Sequence, residues 1–191
     1  MSPPMPEAYY NRGDIRAGLG DVDGALADFD YALELSPKFV RAYLYRASLL
    51  SELGRNEEAR RDVEAGLALE PDDAHLLTIR GQLAAADGDT AAAVDAFDRV
   101  LEREPDIIAA WAGRASVAFE QGDLSGALAD LGRALELEDS SALRFNRATV
   151  LLACERWDEA LTELNRAVEL DPSDADVLSE RDRCLRQLAT V

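Results

Sequence analysis

The sequence has few of the residues on which disulfide scaffolds, metal sites and most enzymes depend. Its 191 residues include two cysteines, one histidine and only 6% aromatic residues. Cys154 and Cys184 are too few for a disulfide framework, so we expect reduced thiols, with an intrachain bridge or a redox role as the alternative. His75 has no nucleophile or acid at a catalytic spacing. These absences predict a protein that is not an enzyme and that has no metal site and no cofactor.

Positive charge and long apolar runs are also scarce. The chain has 20 Lys and Arg against 38 Asp and Glu, which gives a formal net charge of −18 at pH 7. Such a surface repels phosphate groups, which argues against binding to nucleic acid or to anionic membranes. No apolar run reaches the roughly 18 residues of a membrane span. The start of the sequence lacks the basic and apolar segments of a secretory signal, so we expect a cytoplasmic protein.

What the sequence does contain is a repeat. Alanines recur at intervals of 34, 34, 34 and 33 residues, and a bulky apolar residue follows each of them four positions later. Another small residue stands twelve positions before each alanine, and prolines close four of the five units. The five alanines are Ala25, Ala59, Ala93, Ala127 and Ala160, and the repeats span residues 6–39, 40–73, 74–107, 108–140 and 141–174.

Each repeat has the apolar spacing of two helices joined by a polar turn. Four turns hold a glycine, which can end the first helix at positive φ, whereas the fifth turn has Glu155. Small residues such as Gly13 stand opposite bulky ones such as Phe29, which lets the two helices approach closely. We predict a short flexible segment at 1–5, five helical hairpins, and a capping helix at 175–191. The alternative for this last helix is that it pairs with a partner chain.

The pattern resembles that of tetratricopeptide repeats: an aromatic residue near the start, Gly or Ala, then Ala, a large apolar residue, Ala and Pro. It is clearest in EAYYNRG…GDVDGALADFDYALELSP of the first repeat and WAGRAS…GDLSGALADLGRALEL of the fourth. The resemblance implies an all-α fold, a right-handed superhelical α-solenoid. Two departures stand out: Asp139 and Ser140 replace the proline junction after the fourth repeat, and Arg144 replaces the aromatic residue of the fifth.

An arginine precedes the small residue in the first helix of every repeat, and in four repeats an acid follows sixteen residues later. The hairpin register places these residues across from each other. We therefore predict structural ion pairs, with an arginine ladder for an acidic ligand as the alternative. Arg80 is the exception, because Ala96 takes the place of its acid, so Arg80 is the arginine most available to a ligand. The predicted pairs are Arg12–Asp28, Arg46–Asp62, Arg114–Asp130 and Arg147–Glu163.

The resemblance further implies that the first helices line a concave groove for an extended peptide or a partner helix. The side chains at these positions are mostly neutral, with aromatic residues among them, and the family's clamp for a C-terminal carboxylate is not reproduced. Leu44, Ile79 and Phe145 also fall there. For these three, and for Tyr10 and Tyr45, the alternative is that the side chain packs against a neighbouring helix and exposes little surface. The candidate groove residues are Tyr10, Asn11, Asp14, Arg41, Tyr45, Ser48, His75, Gln82, Phe119, Asn146 and Thr149.

Together these patterns predict a non-catalytic scaffold or adaptor that binds a protein or peptide segment in its groove. The acidic surface favours a basic partner. Two alternatives stay open, namely a self-associating structural module (a homodimer or an array) and a regulatory domain of a larger assembly. An exposed apolar patch at one end of the array would favour self-association, whereas a patch in the groove would favour ligand binding.

Overall fold

The computed structural model describes residues 5–189, so that most of the predicted N-terminal segment and residues 190–191 lie outside it. Over residues 5–189 the chain forms eleven α-helices and no strand, which confirms the predicted all-α repeat solenoid. The helices are α1 (Pro6–Gly18), α2 (Val22–Leu35), α3 (Val40–Glu52), α4 (Asn56–Leu69), α5 (Ala74–Ala86), α6 (Thr90–Arg103), α7 (Ile108–Glu120), α8 (Leu124–Leu137), α9 (Ser141–Ala153), α10 (Trp157–Leu170) and α11 (Ala175–Leu188).

The helices are grouped in two compact units. The first unit ends at Val100 and contains α1 to α5 with most of α6, and the second starts at Leu101 and contains α7 to α11. Within the units, successive helices pair as antiparallel hairpins, such as α1 with α2 and α9 with α10. The last helix, α11, packs on α10.

The core of the first unit depends on close approach between the two helices of a hairpin. A Cβ atom added at Gly13 on α1 would lie 2.9 Å from Cε1 of Phe29 on α2. The same addition at Gly81 on α5 would lie 2.7 Å from Cε1 of Phe97 on α6. Both rings are buried, so neither has free space into which it could move. In these two hairpins a small residue on the first helix therefore faces a bulky residue on the second, as the repeat pattern predicts.

In the second unit, α11 closes the core over the fifth hairpin. Val177 and Cys184 are fully buried in one cluster with Leu151 and Leu164. Cys184 donates its thiol hydrogen to the carbonyl oxygen of Trp157, with Sγ and O 3.3 Å apart, and both cysteines of the chain are free. Burial raises the pKa of the Cys184 thiol. This helix thus packs on the fifth hairpin through a narrow apolar stripe.

Leu185 of α11 is also apolar, but it is 46% exposed. Val177 and Cys184 are seven residues apart and share one side of the helix, whereas Leu185 is turned by about 100° from Cys184. A single neighbouring helix covers only one side of α11, and Leu185 lies outside the covered side.

The hairpin turns keep one backbone conformation with two kinds of residue. The glycines at this position have φ values between 71° and 80°, and Glu155 takes the same left-handed conformation with φ of 59°. A glycine has no Cβ atom to clash in this region, whereas any other residue is strained there. The fifth hairpin therefore has the turn of the other four at a higher energetic cost. The glycines are Gly20, Gly54, Gly88 and Gly122.

The residue after the turn stabilises the second helix in one of two ways. Asp21, Asp89 and Asp123 each accept a hydrogen bond from the backbone N–H three residues later, at 2.9–3.1 Å. The hydrogen bond from Gly126 N–H also lowers the pKa of the Asp123 carboxyl. In the second and fifth hairpins an arginine stands there instead, and it pairs with a glutamate three residues later. Those pairs are Arg55–Glu58, at 2.7 Å, and Arg156–Glu159, at 2.6 Å.

Replacing Glu155 with glycine is expected to raise the free energy of unfolding by about 1 kcal/mol, because it removes the left-handed strain. Chemical denaturation followed by circular dichroism measures the change. As the matched control, Gly122→Ala at the equivalent turn should lower stability by a similar amount. A less stable Glu155→Gly variant would contradict the interpretation of this turn.

Replacing Ala127 with leucine is expected to lower stability by about 1–3 kcal/mol, because Ala127 is fully buried at the helix contact of the fourth hairpin. Thermal melting measures this effect. Ala129 is exposed on the same helix, α8, so Ala129→Leu should leave the melting temperature nearly unchanged. Equal melting temperatures for the two variants would refute the proposed helix register.

Candidate functional site

The four arginine–acid pairs lie across their hairpins at hydrogen-bond distance. Three of them are bidentate: Arg12 on Asp28 at 2.8 and 2.5 Å, Arg46 on Asp62 at 2.7 and 2.6 Å, and Arg114 on Asp130 at 2.8 and 2.7 Å. In the fourth, Nη1 of Arg147 lies 3.2 Å from Glu163. All four acids are buried. Buried carboxylates held in this way have little capacity left for a ligand.

Arg144 adds a contact that the sequence pattern did not predict. It occupies the aromatic position of the fifth repeat and donates to both Asp139 and Glu163, at 2.7 Å each. Asp139, at the shortened junction, also accepts from Arg166 at 2.8 Å. The hydrogen bonds from Arg144 and Arg166 lower the pKa of the Asp139 carboxyl. The two departures from the repeat pattern thus meet in one charged network.

Arg80 differs from the four arginines at the equivalent position of the other repeats. Ala96 is fully buried across from it, and within residues 5–189 Arg80 forms no hydrogen bond or ion pair. Its side chain is half-buried and therefore remains in contact with solvent. The prediction that this arginine is free of its acid matches the geometry, but no neighbouring group defines a ligand pocket around it.

Tyr10 does not line a groove, contrary to the prediction. It is only 6% exposed, and its ring packs against Phe39 and Tyr45 with centroids 5.3 and 5.1 Å away. Burial and the neighbouring Tyr45 raise the pKa of Tyr10 to about 12. Phe39 at the end of the first repeat and Tyr45 of the second repeat cover Tyr10, so its ring stabilises the packing of the first two hairpins. Tyr45 remains on the surface at the edge of this aromatic cluster.

The remaining candidates of the first unit are on the surface without forming a pocket of their own. Ile79 is buried, as expected if its side chain packs against neighbouring helices instead of lining a groove. Thr78 beside it donates its hydroxyl to Ala74 O at 2.7 Å. Leu44 is half-buried. The exposed or half-buried candidates are Asn11, Asp14, Arg41, Ser48, His75 and Gln82.

The candidates of the second unit do meet, in a pocket of about 240 Å³ between α7 and α9. Leu131 of α8 contributes to its lining together with the buried Ala115 and Val150. The lining contains no charged residue, although 30% of the chain is charged. We call it the α7–α9 pocket; its lining residues are Ala112, Ala115, Ser116, Phe119, Leu131, Phe145, Asn146, Thr149 and Val150.

Two polar side chains of the α7–α9 pocket are free to bind. Asn146 and Ser116 are exposed, and neither has a hydrogen-bond partner within residues 5–189. Thr149 is already satisfied, because its hydroxyl donates to Phe145 O at 3.0 Å. An asparagine amide can donate and accept at once, which matches the N–H and C=O groups of a peptide backbone. The pocket can therefore hold an apolar side chain and fix the backbone beside it.

A second pocket, of about 280 Å³ in the first unit, is charged but internally neutralised. Arg46 lies between Asp62 and Asp30, and Arg55 pairs with Glu58. Arg61, also at this pocket, donates to Glu57 O at 3.3 Å. Because most of these charges are already paired, the pocket is a poorer candidate for ligand binding than the α7–α9 pocket.

No group of three or more His, Cys, Asp and Glu residues within residues 5–189 could hold a metal ion. Across the same residues, the structure has no helix with the length and apolar character needed to cross a bilayer.

Two tetratricopeptide-repeat family models match the sequence, one over residues 16–83 and 118–179 and the other over residues 80–141. The chain belongs to the tetratricopeptide-repeat family. This fold is a general scaffold for protein–protein interaction, and domains of this kind bind proteins or peptides. None of the curated protein sequences matches the chain.

Several solved structures share the fold, and two of those compared below are described as tetratricopeptide-repeat proteins. A thermophilic member from Thermus thermophilus is 24% identical, with a TM-score of 0.83 over 94% of this chain and 98% of that protein. The type IV pilus biogenesis factor PilW is 20% identical, with a TM-score of 0.85 over 96% and 87%. YrrB, described as having an unusual peptide-binding site, is 20% identical, with a TM-score of 0.64 over 91% and 90%. At these identities the likeness shows the fold alone.

The small residues of the fourth tetratricopeptide repeat explain why the pocket forms there. Ala112 lines the pocket at the position where the second repeat has Leu44, and Gly113 beside it replaces Tyr45. Shorter side chains leave a cavity between neighbouring helices. This size difference is the sequence signal that could have indicated the pocket in advance.

Replacing Asp28 with asparagine is expected to lower the free energy of unfolding by about 1–3 kcal/mol at pH 7, because the buried carboxylate loses its charged contacts with Arg12. The hydrogen bond from Arg12 holds the pKa of Asp28 below its ordinary value. The ionised Asp28 therefore stabilises the fold above its unfolded pKa of about 3.9, and this contribution disappears as the pH falls through the lower, folded pKa.

Denaturation curves at a series of pH values below neutrality should show the wild type and the Asp28→Asn variant converging in acid. Asp95 is exposed and has no ion pair within residues 5–189, so Asp95→Asn is the matched control with little effect at any pH. A stability difference that is the same at all pH values would exclude the ion pair as its cause.

Proposed function

We propose that this protein is a non-catalytic adaptor whose α7–α9 pocket binds one apolar side chain of an extended peptide segment. The single observation that carries this proposal is the coincidence of an uncharged cavity with two side chains, Asn146 and Ser116, that have no polar partner within residues 5–189. The cavity supplies apolar contact, and the amide of Asn146 supplies hydrogen bonds to the peptide backbone.

The size of the pocket supports a side chain as its occupant rather than a free metabolite. Its volume of about 240 Å³ lies below the usual range of small-molecule sites, which is about 300–1,000 Å³. Phe119 and Phe145 are half-buried at the pocket and offer aromatic surface to a ligand. Aromatic side chains give large contact areas at interfaces. A leucine-sized or phenylalanine-sized residue suits these dimensions and this chemistry.

The charge of the chain supports a basic segment around that apolar residue. A net charge of −18 attracts basic segments over a distance and repels acidic ones. Because the pocket lining itself is uncharged, the basic residues of the partner would flank the apolar anchor instead of entering the pocket. The partner class is therefore a peptide with one large apolar residue between Lys or Arg residues.

The test uses peptides selected on the purified protein from a displayed random library, with dissociation constants from fluorescence anisotropy. Ser116→Phe places a ring at the mouth of the pocket and is expected to weaken binding by about tenfold or more, which corresponds to about 1.4 kcal/mol. Asn146→Ala removes the backbone contact and should weaken binding by a factor of about 2 to 10. Lys→Glu changes in the peptide should weaken binding as well.

The matched control is Ser48→Phe, because Ser48 occupies the same position in the second repeat, within the first unit. This variant is expected to bind the selected peptides as the wild type does. Unchanged binding by Ser116→Phe, or equal losses in both phenylalanine variants, would refute the α7–α9 pocket as the binding site. Circular dichroism confirms that each variant is folded.

A further inference from the structure

Arg147 on α9 is bonded less completely than the other arginines that pair with an acid across their hairpin. Arg12, Arg46 and Arg114 each hold their acid with two hydrogen bonds. Arg147 reaches Glu163 with Nη1 alone, at 3.2 Å, and its Nε–H is buried without a hydrogen-bond partner in the part of the chain that the structure describes. Because a buried donor without an acceptor is unfavourable, Arg147 retains donors for a further acid.

The cause is that two arginines share one acid. Nη1 of Arg144 donates to one oxygen of Glu163 at 2.7 Å, which leaves the other oxygen to Arg147. A guanidinium group has several N–H donors in a planar fork, and a single carboxylate oxygen cannot engage them all. The side chain of Arg147 is also 35% exposed, so a ligand from solvent can reach it.

The second repeat shows what completes an arginine at this position. Arg46 is the equivalent of Arg147, and it binds two carboxylates. Asp62 comes from its own hairpin, whereas Asp30 comes from α2 of the hairpin before it. The side chain of Asp30 is 58% exposed. The second carboxylate thus meets the guanidinium on a side that is open to solvent.

The fourth repeat has no carboxylate at the position of Asp30, because Gly132 on α8 stands there. A Cβ atom added at Gly132 would meet no atom within 4 Å, whereas one added at Gly13 or Gly81 would collide with a ring. Gly132 therefore does not serve the close packing of helices. It leaves an open space at the surface of α8.

The helices around this space are arranged as in the second repeat. Leu26 and Leu50 line the pocket beside Arg46. Their equivalents are Leu128 and Leu151, and Leu128 packs against the core cluster that contains Leu151. The packing of α8, α9 and α10 thus repeats that of α2, α3 and α4. We call the open space over Gly132, beside Arg147, the Gly132 notch.

The charges around the Gly132 notch favour one further negative charge. Arg156 is already neutralised by Glu159 at 2.6 Å. Arg156, and more weakly Arg147, lower the pKa of the exposed Glu159 carboxyl, so the field of Arg147 extends to the surface. A carboxylate has one negative charge and can accept two parallel hydrogen bonds from a guanidinium. A phosphate group has more charge and is repelled more strongly by a chain of net charge −18.

We propose that the Gly132 notch binds the side-chain carboxylate of an aspartate or glutamate of a partner protein. The carboxylate accepts hydrogen bonds from the guanidinium of Arg147 and takes the place of the acid that α8 lacks. A side chain suits the notch, because the equivalent carboxylate of the second repeat, Asp30, is itself a side chain on a helix. Neither Gly132 nor Arg147 lines the α7–α9 pocket, so binding at one site does not require the other.

The first test follows the NMR signals of the arginine Nε–H groups while acetate replaces chloride at constant ionic strength. We expect a saturable shift of the Arg147 signal and none for Arg114, because Nε of Arg114 already donates to Asp130 at 2.8 Å. The peptide acetyl-Ala-Asp-Ala-amide should shift the Arg147 signal as acetate does, whereas its asparagine analogue should not.

Three results of this titration would overturn the proposal. Equal shifts of all arginine signals would show general screening by anions. A response to acetate without a response to the aspartate peptide would show that the notch takes a small free anion and not a side chain. A response to inorganic phosphate alone would show that the ligand is not a carboxylate.

The second test supplies the missing carboxylate from the chain itself. Gly132→Asp should shift the Arg147 signal without any ligand and should weaken acetate binding by at least about tenfold. The matched control is Gly132→Ala, whose Cβ atom meets nothing within 4 Å, so it should bind acetate as the wild type does. Equal acetate binding by these two variants would refute the position of the site.

Melting temperatures provide a readout that needs no ligand. Gly132→Asp should melt above Gly132→Asn, because only the aspartate can form an ion pair with Arg147, although it makes the chain more negative. The difference should disappear in an Arg147→Gln background. A higher melting temperature for Gly132→Asn would show that Arg147 does not reach the notch, and would overturn the proposal.

Discussion

The close approach of the two helices in each hairpin is the constraint on which the other contacts depend. Gly13 and Phe29 meet where a Cβ atom would already be too near the ring. The residues just before them in the sequence are Arg12 and Asp28, which form the ion pair of the same hairpin. The glycine–phenylalanine contact and the ion pair occupy adjacent positions on both helices. The same short distance between the two helices therefore permits both contacts. Apolar packing thus brings the carboxylate within reach of the guanidinium, and burial then makes that pairing necessary.

A second contact links successive repeats at their junctions. Tyr43 donates its hydroxyl to Pro37 O at 3.3 Å, and Trp111 donates Nε1–H to Pro105 O at 2.8 Å. The junction between the fourth and fifth repeats has neither the proline nor the aromatic residue, and Arg144 donates to Asp139 in their place. A polar side chain at the same helix position therefore fixes the junction in each case. The loss of the proline and the change of the aromatic residue to Arg144 occur together, so the contact that links the two repeats is kept.

Periodicity predicted the helices and the pairs within a hairpin, because these contacts join residues at fixed spacings. It failed for Tyr10, whose burial depends on Phe39 at the end of its own repeat, on Tyr45 of the next repeat and on how that repeat packs. The role of Arg144 was missed for a similar reason, since its two acids come from the junction and from the second helix. A pocket depends on side-chain volume rather than on pattern, so a list of groove positions could not distinguish the second unit from the first.

The two kinds of hairpin turn have a consequence for how the chain responds to its medium. Asp21, Asp89 and Asp123 hold their helices by hydrogen bonds at contact distance to backbone N–H groups. The second and fifth turns depend on exposed ion pairs, Arg55–Glu58 and Arg156–Glu159, and dissolved ions screen such pairs. A rise in ionic strength therefore loosens these two turns before the other three. The local order of opening along the chain is set by the salt around it, while the fold stays the same.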